Sequence, residues 1–111
     1  MEAFIGQIVL FAGNRTPRGW SFCQGQILPV MQNQALFSVI GSTYGGDGRN
    51  TFALPDLRSS VPVGTGTVTN LPPTTLGGIG MVHQSSGGSP QLGTLGLNYI
   101  ICLQGIFPTH S

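Results

Sequence analysis

Glycine and proline interrupt this chain about once every four residues, with 18 glycines and 8 prolines in 111 positions. That spacing excludes long helices, because glycine is costly in a helix interior and proline breaks one. Short strands joined by turns remain possible. One stretch departs from the pattern. After Gln32-Asn33, the apolar residues Leu36, Val39 and Ile40 fall at i, i+3 and i+4, and Gly41 supplies a C-terminal stop. At about nine residues such a helix is too short to persist alone in water, so its stripe must pack on a sheet. The expected fold class is mainly β with one short helix, a small compact α+β domain.

The strands follow from local period. Residues 4–11 are apolar almost throughout and stop at Gly13-Asn14, which predicts a buried strand. Pro17-Arg18-Gly19 makes a turn, Trp20-Ser21-Phe22-Cys23 alternates as a second strand, and residues 27–30 continue extended. Residues 42–50 form a loop around Gly45-Gly46-Asp47-Gly48. Residues 51–54 form a strand, and Pro55-Asp56 turns the chain. Val61-Pro62-Val63 can be extended only at an edge or a bulge, because proline donates no ladder hydrogen bond. The cleanest alternation spans 97–104. Leu97, Tyr99, Ile101 and Leu103 point one way and Asn98, Ile100, Cys102 and Gln104 the other. The mixed second face fits a central strand buried on both sides. With no linker or repeat in the sequence, residues 1–111 read as one domain. Its parts are a core over 1–64, an excursion over 65–96 rich in Gly, Ser, Thr and Pro, and a terminal core strand and tail over 97–111.

Charge narrows the function classes. Only 6% of residues are charged, against roughly 25% in an ordinary soluble domain. All of them lie at or before Arg58. The chain is not a disordered one, because it is 40% hydrophobic. Four arginines and no lysine make no basic stripe, so nucleic acid is not an expected partner. No apolar run of about 20 residues exists, so membrane insertion is not expected either. The N-terminus has no basic region and no small-residue cleavage site, which predicts cytoplasmic synthesis without a signal peptide. A glycine-rich, nearly uncharged chain suits a protein whose surface is largely covered by other subunits.

Enzyme readings have little to stand on. Asp47 and Asp56 could form a glycosidase carboxylate pair, but each lies in a turn, where aspartate commonly stabilises the backbone. Cys23 or Cys102 could act with His83 or His110 as thiol and base, yet no local motif accompanies them. The two cysteines lie in strand-like segments, which favours free, buried thiols over a disulfide. Neither Cys-x-x-Cys nor His-x-x-x-His spacing is present, so no metal is expected within one chain. Three copies of His83 meeting on an axis remain a candidate inter-chain site. Gly45-Gly46-Asp47-Gly48 lacks the lysine of a phosphate-binding loop, and a strand follows it. Its glycines serve a tight turn instead. No cofactor is expected. Trp20, Tyr44 and Tyr99 are the aromatics available for stacking on sugars, and only Tyr44, next to the glycine loop, is expected to be exposed.

Three segments resemble one family. The first runs from Ile5-Gly6-Gln7-Ile8 through Phe11-Ala12-Gly13 and Pro17-Arg18-Gly19-Trp20 to Cys23-x-Gly25-Gln26. The second runs from Gln34-Ala35-Leu36-Phe37 through Gly41-x-x-Tyr44-Gly45-Gly46-Asp47-Gly48 to Thr51-Phe52-Ala53-Leu54-Pro55-Asp56-Leu57-Arg58. The third runs from Leu97-Asn98-Tyr99-Ile100-Ile101 to Gln104-Gly105-Ile106-Phe107-Pro108. Together they resemble the phage tail collar domain family, which includes short tail fibre proteins and microcystin-dependent proteins. The resemblance implies a virion tail structural protein, a homotrimer or a heterotrimer with similar chains, intertwined and in contact with other tail or baseplate proteins. It implies attachment to a bacterial surface, with a stand-alone glycan-binding module as the alternative. Tyr44, Arg49 and Trp20 are then receptor-contact candidates, while Leu97, Tyr99, Ile101 and Leu103 would form core and subunit contact. Family members often carry a longer insertion with a His-Thr-His stretch that binds metal in some short fibres. Here residues 65–96 are short and hold His83 alone. No long fibre shaft precedes the domain, so attachment to the particle would run through the domain itself.

Overall fold

The computed structural model describes residues 2–81 and 92–109. Its elements, in chain order, are β1 (Ile8–Phe11), β2 (Trp20–Phe22), β3 (Ile27–Pro29), α1 (Gln34–Ile40), β4 (Thr51–Ala53) and β5 (Asn98–Cys102). The molecule is thus mainly β with one short helix. Among the described residues no helix is long and apolar enough to cross a membrane.

The last strand lies in the middle. β5 pairs antiparallel with β1 on one side (Ile8 opposite Ile101, Leu10 opposite Tyr99) and with β2 on the other (Trp20 opposite Cys102, Phe22 opposite Ile100). Ile100, Ile101 and Cys102 are accordingly all buried. β3 and β4 form a separate two-stranded sheet with Leu28 opposite Phe52. Pro29 costs this sheet nothing, because β3 has only one neighbour and needs no second row of donors. Cys23 ties β5 to the segment that follows β4: its N–H donates to the Tyr99 carbonyl at 2.9 Å, and its own carbonyl accepts the Leu57 N–H at 2.9 Å.

The helix forms as its stripe requires, with one change of face. Leu36 is buried, and the Phe37 ring meets Phe52 edge to face at 5.3 Å. Val39, expected in the stripe, is 38% exposed. In this seven-residue helix Leu36 and Ile40 of the expected stripe keep the core face, and Phe37 takes the place expected of Val39 beside them. The Asn33 side chain does not cap the helix and donates instead to the Pro29 carbonyl at 3.0 Å. Gly41 closes it through its N–H to the Phe37 carbonyl at 2.7 Å. The core is Ile5, Cys23, Leu36, Phe52, Leu54 and Ile101, with Leu28, Phe37, Ile40, Tyr99 and Leu103 packed around it.

Other expectations need correction. The strand expected over 4–11 begins only at Ile8, because Ile5 and Gly6 turn. It is also not buried. β1 lies at the edge of its sheet, and Leu10 is 55% exposed. Phe4 forms an isolated parallel bridge with Ile106, so the two ends of the described chain are tied. Gly105 makes this approach possible, since a Cβ there would strike the Ala3 carbonyl oxygen. Val61-Pro62-Val63 is in no strand.

Beyond Leu57 the chain leaves the core. Every residue from 58 to 81 except Thr74 is exposed. The radius of gyration is 16.1 Å, above the ~13 Å of a compact chain of this length.

Candidate functional site

The loop before β4 is built around one carboxylate. Asp47 Oδ1 accepts the backbone N–H groups of Arg49, Asn50 and Thr51, each at 2.8 Å. The Asp47 N–H in turn donates to Thr51 Oγ1 at 3.1 Å. Gly48 N–H donates to the Thr51 carbonyl and Ala53 N–H to the Gly45 carbonyl, so the loop is laced to β4 along its length. Gly46, with φ of 87°, lies against the strand; a Cβ there would strike the Phe52 backbone. The sequence Gly-Gly-Asp-Gly therefore gives close backbone approach around a carboxylate that organises three amides. These bonds, that to Thr51 first, hold the Asp47 carboxyl down at about 2.

Asp56 does a parallel job at the next turn. It pairs with Arg58 Nε at 2.9 Å and Nη2 at 2.7 Å, a two-pronged contact, and also accepts the Arg58 N–H at 3.2 Å. The Arg58 hydrogen bond brings the Asp56 carboxyl to about 2 and raises the guanidinium in return. A general acid needs a carboxyl held up towards neutrality. Both aspartates go the other way and are committed to backbone turns.

Cys23 and Cys102 are both free and buried. Burial pushes the Cys23 thiol up to about 11, the reverse of what activates a nucleophile. His83 and His110 lie outside the described residues. Among the described residues no cluster of three or more His, Cys, Asp or Glu side chains could hold a metal.

The contact candidates do not converge. Arg49 is exposed on the aspartate loop, while Tyr44, expected to be exposed, is half-buried. Trp20 belongs to the other sheet, where it lines an open cleft of about 370 Å³ with Glu2, Gln104 and Ile106. A second cleft, of about 220 Å³, lies among Gln24, Arg58, Ser59 and Tyr99. Of the expected core and contact set, Ile101 is fully buried and Tyr99 and Leu103 pack against the core. Leu97 precedes β5 and is 43% exposed.

Sequence reasoning missed two features. The first is the Asp56–Arg58 pair, whose i, i+2 spacing across a turn was its available signal. The second is an unpaired apolar rim on β1, formed by Ile8 and Leu10. An almost continuous apolar run conceals which residues an edge strand leaves uncovered.

In a comparison with known families, the model described as Phage Tail Collar Domain matches residues 6–62, just over half of the chain. No curated protein matches it.

Proposed function

Because this chain belongs to the phage tail collar domain family, we propose that it works at the tail tip or tail fibre of a phage or of a phage-derived contractile particle. Membership makes it a tail-associated structural protein. Assembly and attachment to the host surface are the proposed actions, in a trimer of this chain alone or with similar chains, docked on other tail or baseplate proteins. The family match over 6–62 carries this reading, since it takes in the aspartate loop, the helix and four of the five strands. Two further features support it. Aspartates engaged in turns and a buried thiol suit a structural part. Sparse charge and exposed apolar residues suit a chain covered by neighbours.

The test is the absolute mass of the purified chain by light scattering, followed by adsorption of the labelled protein to bacterial cells. A mass three times that of the chain, with saturable adsorption, is expected. A folded monomer that adsorbs to no cell would overturn the proposal.

One observation favours a second reading, a glycan-binding module without catalysis. Trp20 shares its cleft with the polar side chains of Glu2 and Gln104, the combination of apolar ring and hydrogen-bonding groups that sugars use. It predicts glycan binding that Trp20→Ala removes with folding intact. A blank glycan array would end it.

A further inference from the structure

After Ser60 the chain forms an arm with no core of its own. Gly66 and Thr74 pair as an antiparallel bridge, each N–H donating to the other's carbonyl at 2.8 and 2.9 Å. Asn70 turns the tip at φ of 72°. The arm is back against the body at Gly77, where an added Cβ would lie 2.7 Å from Thr43 Cγ2. Along it Val63, Val68, Leu71, Leu76, Ile79 and Met81 are all exposed, Val68 at 58%, Leu71 at 64% and Ile79 at 99%. A hairpin held by a single bridge is marginal in water unless its side chains are covered.

The body offers a matching surface. β1 has a strand on one side only, so its outer row of backbone groups has no partner among the described residues. Ile8 and Leu10, which share a sheet face with Ile101 and Tyr99, are exposed beside that row. Neither surface carries a charge: residues 3–14 and 59–81 contain no Asp, Glu, Lys or Arg. Mating them buries no ion.

We propose that the arm of residues 61–81 docks on the β1 edge of a second copy of this chain. This deepens the assembly reading above and rests on it. Each copy has one such arm and one β1 edge, so the contact is heterologous, and a ring closes when every arm finds a β1 edge. The arm offers the apolar area that its side of a stable contact needs. Each of the arm's exposed apolar side chains can bury on the order of 60–120 Å². With their backbone they approach the ~800 Å² a side of a standard interface. A backbone edge flanked by apolar side chains takes an extended segment by adding it as a strand.

The experiment uses two variants of the full chain, both changed at exposed positions so that the body can still fold. One is Val68→Asp with Leu71→Asp in the arm, and the other is Leu10→Lys at the edge. Far-ultraviolet circular dichroism checks the fold, and light scattering gives the mass. The wild-type chain is expected to be oligomeric and each variant a folded monomer. Mixed in equal amounts, the two variants should form a one-to-one complex, because one intact arm and one intact edge remain. Variants that keep the wild-type mass, or a mixture that stays monomeric, overturn the arm-on-edge contact and leave the assembly reading standing. A monomeric wild-type chain overturns the arm-on-edge contact as well, and the assembly reading falls with it only if that monomer also adsorbs to no cell.

Discussion

Asp47 carries the most structure of any single side chain, since its one oxygen organises the backbone of the whole glycine loop. Its carboxyl titrates at about 2 in the folded chain, against 3.8 for the free group. A depressed value means stability present above the unfolded value and lost as pH falls towards 2. Thermal unfolding of the wild-type chain should therefore weaken between about pH 4 and pH 2. Asp47→Asn should lower Tm by a few degrees at neutral pH, and its deficit should shrink across the same window. A deficit unchanged by pH would deny Asp47 this role. Asp56 titrates in the same range, so some acid lability stays in the variant. Gly46→Ala is the sharper test of the loop. The positive φ costs ~1–3 kcal/mol for any side chain, and the new methyl would strike the Phe52 backbone besides. Chemical denaturation should show a loss above ~2 kcal/mol. Gly64→Ala, which meets nothing and needs no positive φ, should leave the midpoint unchanged.

At the scale of elements, the helix shows how much a pattern can say. Its existence and its end at Gly41 were legible, because apolar spacing and a glycine stop act locally. Its face was not, because with seven residues the stripe is decided by what lies opposite, here Phe52. Leu36→Ala should cost ~2–5 kcal/mol, as for a buried leucine, whereas Val39→Ala, at a site 38% exposed, should cost less than half of that. Equal losses in denaturant titrations would mean that both residues share the core. The strands divide in the same way. β5 was legible as buried on both faces from its own alternation. Exposure along β1 was not, since 4–11 looks equally apolar whether it lies at the centre of a sheet or at its edge.

Over the whole molecule, the final strand holds the rest in place. Among the described residues β5 is the only strand that pairs with β1 or β2, and the segment after it bridges to Phe4. Removing residues 97–111 would leave β1 and β2 with no neighbour and take Ile101 from the core. Such a truncation should abolish the native fold, read as loss of chemical-shift dispersion and of protected amides. A truncated chain that kept both would show that β3, β4 and the helix fold independently. Removing the arm instead should spare the body, because no residue of 61–81 belongs to the core.

The amino-acid sequence by itself determined the class of fold, the positions of the turns, the single helix and the family. All of these rest on short-range patterns, on glycine and proline placement and on residue strings such as Tyr44-Gly45-Gly46-Asp47-Gly48. The aspartate loop belongs here too, because its bonds span four residues or fewer. Only the tertiary structure decided that Val39 yields to Phe37, that Tyr44 is half-buried, that β1 is an open edge and that 61–81 stands clear of the core. Burial is a property of neighbours. In a chain with so few charges, apolar residues are spread over core, edge and arm alike, so their positions in sequence do not say which of them the fold covers.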